Sequence, residues 1–374
     1  MPPVPMVSIV SAITKNDMKK RLSTCALLLM ALMALVGCKE GGNSLMTPVS
    51  SGRPYEMLVV MNDSMWNRPA GRAVFEALDT DVPGLPQSER SFRIMQINEQ
   101  QMDRTFGLFR NIIMVNISKI YSQVKFKFSR DVHAAPQMIM TIQAPSEEAL
   151  AEYVGKHKQT IVDFFTRVEM NRQVKLLDRG YSLLVDQLVK EKFGCTVHVP
   201  EDLENYKRGV DFLWATTNRE RDDLNFVIYS YPFTDKETFT LDYFVHKRDS
   251  FMKANLPGPL DGSYMATDTS YLVSRNIAVR GKYAQEVKGL WEMEGAVMGG
   301  PFVSHVRVDE KNQRVIVSEA FVYSPGRKKR DIMRRMEAAL YTLVLPGEEA
   351  EASALGNDVE GVEEEQAPAG SPKE

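Results

Sequence analysis

Cysteine is scarce in this chain of 374 residues, which contains only Cys25, Cys38 and Cys195. Cys25 lies inside an apolar N-terminal segment and Cys38 ends that segment, so Cys195 is the one cysteine expected in the folded part. A single cysteine cannot form an intramolecular disulfide, which excludes a fold held together by such bridges. The 44% hydrophobic content is sufficient for a hydrophobic core to stabilise the fold instead.

Net charge is also low, at −3 for the whole chain. Residues 1–37 carry a net charge of +3 and residues 347–374 carry −8, which leaves +2 for the stretch between them. A nucleic-acid-binding domain carries a strong basic excess, and so does a polybasic membrane surface. Neither excess is present, so no nucleic-acid partner is expected.

Signatures of catalysis and metal binding are missing as well. The sequence contains no GxSxG, HExxH, Walker or Rossmann GxGxxG pattern. Its five histidines lie far apart, without the spacing of metal ligands, and we interpret them as surface or hydrogen-bonded side chains. The sequence therefore predicts no catalytic residue, no metal site and no cofactor.

The N-terminus carries the strongest pattern in the chain. Met18-Lys19-Lys20-Arg21 is a basic start, residues 22–36 form an apolar run of about fifteen residues, and Leu35-Val36-Gly37-Cys38 resembles a bacterial lipobox. In that interpretation residues 1–37 are an upstream segment plus a signal peptide, translation starts at Met18, and Cys38 is the lipid attachment site. The alternative is an ordinary signal peptide, or an uncleaved anchor helix, that happens to end in cysteine.

This anchor predicts a location in the cell envelope, attached to the membrane through Cys38. Lys39 follows the cysteine in place of the Asp that retains many lipoproteins at the inner membrane, which favours the outer membrane. Two acyl chains or more are needed for a stable attachment of this kind. The sequence does not indicate whether the protein faces the periplasm or the cell surface.

The remaining chain divides by composition. Residues 38–54 are rich in Gly, Ser and Pro and are predicted to be a flexible tether. Residues 55–193 and 194–346 are predicted to be two α+β lobes, and the acidic, aromatic-free tail 347–374 is predicted to be disordered.

Periodicity and turn residues predict the elements of the two lobes. Apolar, β-branched runs indicate strands at 55–61, 92–97, 112–117, 124–128 and 138–142, then at 195–199, 210–216, 226–231, 277–283, 287–293, 302–308 and 314–323. A helix should include residues 73–78, a long helical segment should run from 147 to about 192, and further helices should cover 238–253 and 328–344. Without a regular βαβ alternation, we predict an α+β fold. Its sheets should be mainly antiparallel with helices packed on one face, and the long helical segment should join the two lobes.

Several short motifs resemble those of a known family. They are Tyr229-Ser230-Tyr231-Pro232, Leu256-Pro257-Gly258-Pro259, Gly262-Ser263-Tyr264-Met265, Gly289-Leu290-Trp291 and Met298-Gly299-Gly300-Pro301-Phe302. Together they resemble envelope lipoproteins typical of the Bacteroidetes group, which are classed only as domain of unknown function 4837. The resemblance is expected to extend over residues 55–345. It implies a lipoprotein in the envelope and carries no activity.

The aromatic residues Trp291, Tyr229, Tyr231 and Tyr264 form the candidate binding surface, since such side chains can line a groove or stack on a sugar. The competing interpretation is that they belong to the core or to half-exposed strands. The basic run on the last predicted helix, Arg327-Lys328-Lys329-Arg330 with Arg334-Arg335, is interpreted as a solvated helix face. The alternative is contact with lipid headgroups or with an acidic partner, including the acidic tail of this chain. The paired glycines of Met298-Gly299-Gly300-Pro301-Phe302 are interpreted as a tight turn with positive φ, and the alternative is a loop that lets a ligand approach backbone N–H groups.

The sequence favours a lipid-anchored envelope protein without catalytic activity, acting as a binding or assembly module whose partner is an envelope protein or a glycan. The alternative is an unrecognised hydrolase acting on glycan or cell-wall material. A hydrolase should possess one deep cleft where acidic side chains and tyrosines converge.

Overall fold

The computed structural model describes residues 47–348. The chain divides into two compact units, Met1–Thr47 and Pro48–Glu374, so nearly all described residues belong to the second. The signal segment, Cys38 and the tail beyond Glu348 lie outside the described residues. None of the helices within residues 47–348 has the length and apolarity that crossing a bilayer requires.

The elements of this unit are named in chain order. The strands are β1 Glu56–Val60, β2 Arg93–Ile97, β3 Asn111–Ile117, β4 Lys125–Arg130, β5 Met138–Ala144, β6 Asn205–Gly209, β7 Phe212–Thr216, β8 Asp223–Pro232, β9 Tyr264–Val279, β10 Lys282–Glu294, β11 Gly299–Asp309 and β12 Arg314–Tyr323. The helices are α1 Asp63–Trp66, α2 Pro69–Leu78, α3 Arg104–Gly107, α4 Glu147–Lys156, α5 Lys158–Leu177, α6 Leu183–Phe193, α7 Leu241–Asn255 and α8 Arg330–Tyr341.

The first half forms a five-stranded sheet in the order β2-β1-β3-β5-β4. Strands β2, β1, β3 and β5 run parallel, and only β4 is antiparallel to its neighbour. A parallel sheet is usually covered on both faces, and β1 is accordingly apolar at consecutive positions. Met57 and Val59 pack in the core shared with α2, α4 and α5, whereas Leu58 and Val60 belong to a smaller cluster on the other face.

The second half forms a seven-stranded, wholly antiparallel sheet in the order β6-β7-β8-β12-β11-β10-β9. Side chains of β12 alternate between two cores. Val315 and Val317 pack in the core that includes α7, and Ile316 and Ala320 pack in the core that includes α6 and α8. The predicted α+β class is confirmed. The prediction that helices pack on only one face was wrong for this sheet, because its central strands are apolar on both sides.

The helical segment that joins the two sheets consists of three helices, α4, α5 and α6. Its central helix, α5, takes part in both cores: Ile161 and Phe165 pack against the first sheet, whereas Met170 and Val174 belong to the core of the second. The predicted helical connection between the lobes is therefore present, with breaks at His157 and around Gly180.

The end of the predicted tether is attached to the folded body. The Ser50 amide donates to the Ala135 carbonyl at 3.0 Å, and the Ala135 amide donates to the Pro48 carbonyl at 2.8 Å. The Ser51 amide donates to the Leu108 carbonyl at 2.7 Å. Within residues 38–54, the chain from Pro48 onward thus belongs to the body.

Candidate functional site

The structure places the predicted aromatic surface mostly in the core. Tyr229, Tyr231 and Trp291 expose only 0%, 6% and 2% of their surface, and all three pack beneath α7. The Tyr229 ring lies 4.6 Å from that of Phe251 on α7. Tyr264 alone is half-buried, with the Lys253 ammonium 4.2 Å from its ring centroid. The four side chains therefore do not form an exposed surface together, because packing of the second sheet against α7 covers three of them.

The glycine pair before Pro301 has a different role from the predicted turn. Gly299 and Gly300 lie within β11 and are not among the glycines with positive φ. A Cβ at Gly300 would lie 2.1 Å from the Val322 carbonyl oxygen and 3.0 Å from Nε1 of Trp291. The glycine is needed because the Trp291 indole and the backbone of β12 occupy the space of a side chain.

A buried ion pair lies on the α7 face of the second sheet. The Arg248 Nε and Nη2 groups donate to the Glu319 carboxylate at 2.9 and 2.8 Å, and both side chains are fully buried. Ser304 Oγ donates to the same carboxylate at 2.7 Å, and Arg248 Nη1 donates to Thr267 Oγ1 at 2.8 Å. These contacts fix α7 to three strands. Sequence patterns missed them because the two charges are 71 positions apart.

The opposite face carries a second polar network, arranged as a row across four strands. Arg275 of β9 lies opposite Glu286 of β10, Glu286 lies opposite His305 of β11, and His305 lies opposite Ser318 of β12. Helix α8 contributes Tyr341, whose ring packs edge-on against the His305 ring at 4.6 Å. We call these residues the Glu286 row.

Charge in the Glu286 row is set by its neighbours. Burial alone would raise the pKa of Glu286, but Lys288, His305 and Arg275 outweigh it and hold that pKa well below its ordinary value. Arg275 Nε donates to Glu286 at 2.5 Å, and Lys288 Nζ lies 3.3 Å from it. Burial lowers the pKa of His305, which Glu286 offsets only in part. At neutral pH the row therefore combines an ionised carboxylate with a neutral imidazole.

Ser, His and Glu are the residue types of a hydrolase triad. Here Ser318 and His305 are fully buried, and the His305 Nε2 atom is 3.6 Å from Glu286, too far for a hydrogen bond. Neither His305 nitrogen nor the Ser318 hydroxyl has a hydrogen-bond partner within the described residues. The three groups share a row, but they do not form a connected relay and no substrate can reach them in this conformation.

A cleft of about 390 Å³ lies beside the Glu286 row, between α5, β9 and α8. Its wall includes Thr166 and Arg167 from α5, Arg275 from β9, and Glu337 and Tyr341 from α8. We call it the Arg167 cleft. It is formed jointly by the helix that follows the first sheet and the edge of the second, a combination that no local sequence pattern reveals.

Pairing of the charges around the Arg167 cleft is incomplete. Glu337 accepts a hydrogen bond from Lys288 Nζ at 2.9 Å. Arg275 donates to Glu286 through Nε, and its Nη1 lies 3.7 Å from an Asp163 carboxylate oxygen. Arg167 is half-buried and has no ion-pair or hydrogen-bond partner within residues 47–348. The adjoining Thr166 hydroxyl is buried and also lacks a partner there. The cleft therefore offers the unused donors of one half-buried guanidinium.

A larger cleft of about 670 Å³ lies between the first sheet and the N-terminus of α8, and most of its charged side chains have partners within the cleft wall. Arg90 Nε lies 2.9 Å from Asp79, and Arg93 pairs with Asp331. The Glu89 carboxylate accepts from the Lys329 amide at 2.6 Å.

The basic run at the start of α8 packs against the first sheet beside this cleft. Lys329, Arg330 and Arg334 are all buried, and the Arg334 guanidinium lies 4.1 Å from the centroid of the Tyr55 ring. Arg330 Nη1 donates to the Arg90 carbonyl at 2.7 Å. The predicted solvated helix face was wrong for these residues, because they pack α8 against the first sheet.

Cys195 is the one cysteine within the described residues 47–348. Cys195 is a free thiol, fully buried, and burial raises its pKa to about 12. A thiol that keeps its proton in this way is a poor nucleophile and a poor metal ligand. No group of three or more His, Cys, Asp or Glu side chains in residues 47–348 has the arrangement of a metal site.

The two halves of the chain match different families. Residues 182–342 match the family described as Domain of unknown function (DUF4837), which confirms the resemblance of the second half to that domain of unknown function. Residues 50–178 match another, described as Domain of unknown function (DUF8532), so the expected span of 55–345 was too long for the first family. The boundary falls between α5 and α6. No curated protein matches the chain.

Proposed function

We propose that this protein is a lipid-anchored protein of the cell envelope whose folded body is a binding module without catalytic activity. The observation that carries the proposal is the lipobox at Leu35-Val36-Gly37-Cys38, which lies shortly before Pro48, a residue hydrogen-bonded to the body. The nine residues between them span at most about 30 Å when fully extended. An acylated Cys38 thus holds the body close to the bilayer, within reach of envelope proteins and glycans.

The Arg167 cleft supports the binding role. Its volume of about 390 Å³ lies in the range of small-molecule sites, and unpartnered donors line it. The Glu286 row holds the side chains best suited to proton transfer, yet it lies in the interior. This arrangement favours recognition over turnover.

The anchor is tested by metabolic labelling with a radioactive fatty acid and membrane fractionation of wild type, Cys38→Ser and Cys25→Ser. Cys25→Ser is the matched control, because it changes a cysteine of the same segment outside the lipobox. We expect wild type and Cys25→Ser to carry label and sediment with membranes, and Cys38→Ser to carry none. Label retained by Cys38→Ser would refute the anchor.

The hydrolase alternative rests on one specific observation, the Ser318, His305 and Glu286 row. Purified full-length protein is incubated with envelope esters, glycans and peptides, alongside Ser318→Ala. We expect no turnover by either. Turnover that disappears in Ser318→Ala would establish the hydrolase and contradict a body that only binds.

A further inference from the structure

The Arg167 cleft has a charge balance that selects its ligand. Each acidic side chain of the cleft already has a basic neighbour: Glu337 has Lys288 at 2.9 Å, and Asp163 has Arg275 at 3.7 Å. Arg275 in turn is held by the buried Glu286. Arg167 is left over as the one guanidinium of this cluster without a partner in the described part of the chain. A half-buried guanidinium gains most from one anionic partner that shields it from solvent.

The number of unused donors limits the kind of anion. A carboxylate brings one negative charge and two acceptor oxygens, which match the fork of one guanidinium in a bidentate contact. A doubly charged phosphate would also meet the carboxylates of Asp163 and Glu337 in the cleft wall, which repel additional negative charge.

The rest of the wall provides an apolar surface. Met170 of α5 and Ile277 and Ala278 of β9 line the same cleft as Arg167. A ligand that places its carboxylate at Arg167 therefore lays an adjoining short apolar group against these side chains.

We propose that the Arg167 cleft binds an organic carboxylate with a short apolar group next to the acid, through bidentate contact with Arg167. The inference rests on the proposed binding role and names the chemistry of its ligand. Such a group occurs at the C-terminus of a peptide and in a simple branched carboxylic acid.

The test is calorimetric titration of the full-length protein in detergent with four probes. N-acetylleucine represents a peptide terminus and 4-methylpentanoate a simple acid, whereas N-acetylleucinamide and inorganic phosphate are the neutral and phosphate comparisons. We expect at least one of the two acids to bind saturably, and both comparisons to bind at least about tenfold more weakly. The acid that binds more tightly identifies the source of the carboxylate.

Variants of the cleft test which side chains are involved. Arg167→Ala should weaken binding of the preferred acid by at least about tenfold. Arg167→Lys should restore only part of the lost affinity, because an ammonium lacks the planar fork of a guanidinium. The matched control is Arg104→Ala, which removes an exposed arginine of α3 and should leave the affinity unchanged.

Three results would overturn the proposal: no binding of either acid at about 10 mM, equal binding of the amide or phosphate, or unchanged affinity in Arg167→Ala. These failures are separable from failure of the anchor, since Arg167→Ala should still be labelled at Cys38 and sediment with membranes. Fatty-acid labelling of the same variants therefore shows which of the two ideas is wrong.

Discussion

At the scale of single residues, the second sheet is unusual in burying ionised groups on both of its faces. Glu319 is buried against Arg248 on the α7 face, and Glu286 is buried between Arg275 and Lys288 on the α8 face. Transfer of a charge from water into a protein interior costs several kcal/mol unless a partner and further hydrogen bonds compensate it. Each network therefore fixes the position of the helix that covers it, and loss of one partner should lower the free energy of unfolding substantially.

Glu319→Gln should lower the free energy of unfolding by about 3–5 kcal/mol, because it leaves the Arg248 guanidinium buried without a counter-charge. Urea denaturation followed by circular dichroism measures this loss. The matched control is Glu310→Gln in the exposed turn before β12, which should change the stability by less than about 0.5 kcal/mol. An equally small effect of Glu319→Gln would show that the pair does not hold α7.

His305 should make stability depend on pH. Burial lowers its pKa below the ordinary 6.5, so the unfolded chain binds a proton at a higher pH than the folded protein does. The free energy of unfolding should therefore fall as the pH drops below about 6.5, by up to about 1.4 kcal/mol per pH unit. Glu286, whose pKa is held well below 4.5, contributes to this loss only at lower pH.

The surrounding charged and titratable groups, Glu286, Lys288, Glu337 and Tyr341, stay unchanged in His305→Asn. This variant should show a flatter profile than wild type between about pH 7 and about pH 5, measured by urea denaturation at each pH. His246→Asn, at an exposed position of α7, is the control and should keep the wild-type slope. A wild-type slope in His305→Asn would assign the dependence to another group.

At the scale of elements, the sequence predicted those whose side chains pack in a regular period. The run 314–323 was predicted with the bounds that β12 has, and the run 138–142 lies within β5. Strand β6, Asn205–Gly209, was missed because it is polar and mostly exposed, so it carries no alternating apolar pattern. The predicted strand at 277–283 was wrong in its bounds: it contains only the end of β9, whose middle exposes polar residues, and it crosses the turn into β10. The predicted strand at 195–199 was wrong as well, because that run makes only an isolated bridge between Thr196 and Val344.

Long-range pairing explains the other differences. Parallel pairing of β1 with β2 and β3 depends on partners far along the chain, and the apolar run of β1 does not indicate a strand direction. The Arg167 cleft was missed because α5, β9 and α8 meet there from distant parts of the chain. The aromatic residues Tyr229, Tyr231 and Trp291 were identified as important, but their type alone does not distinguish a core from a binding surface.

Helix α8 begins with a contact from the first half of the chain, and this contact can be tested directly. Glu89 accepts from the backbone amides of Lys329 and Arg330 at 2.6 and 3.3 Å, and it places a negative charge at the N-terminus of the helix. Glu89→Gln should lower the free energy of unfolding by about 1 kcal/mol, as loss of a helix cap does. Glu220→Gln, at an exposed position, is the control in the same denaturation experiment. No difference between the two variants would exclude a capping role.

At the scale of the whole molecule, two family regions share one folded body. The core of the second sheet includes Val82, Leu85 and Met170, which all precede the DUF4837 match at residues 182–342. Removal of residues before 182 therefore uncovers apolar surface on that core. The two halves are expected to depend on each other for stability.

A fragment of residues 182–348 should accordingly unfold at lower temperature and with less cooperativity than residues 48–348. Near-ultraviolet circular dichroism during heating measures both properties, because Trp214 and Trp291 are in the fragment and in the longer chain. Equal transition temperatures would show that the second half is an independent domain and that α5 only touches it.

Attachment of the body to a membrane through Cys38 is the central proposal for this protein. Intact-mass spectrometry of protein purified from bacterial membranes tests this most directly, because it reports the first residue and its modification together. We predict a mature chain that begins at Cys38 and carries a diacylglyceryl thioether, with or without a further acyl chain on the amine. A chain that retains residues before Cys38, or that begins there without any lipid mass, would contradict it.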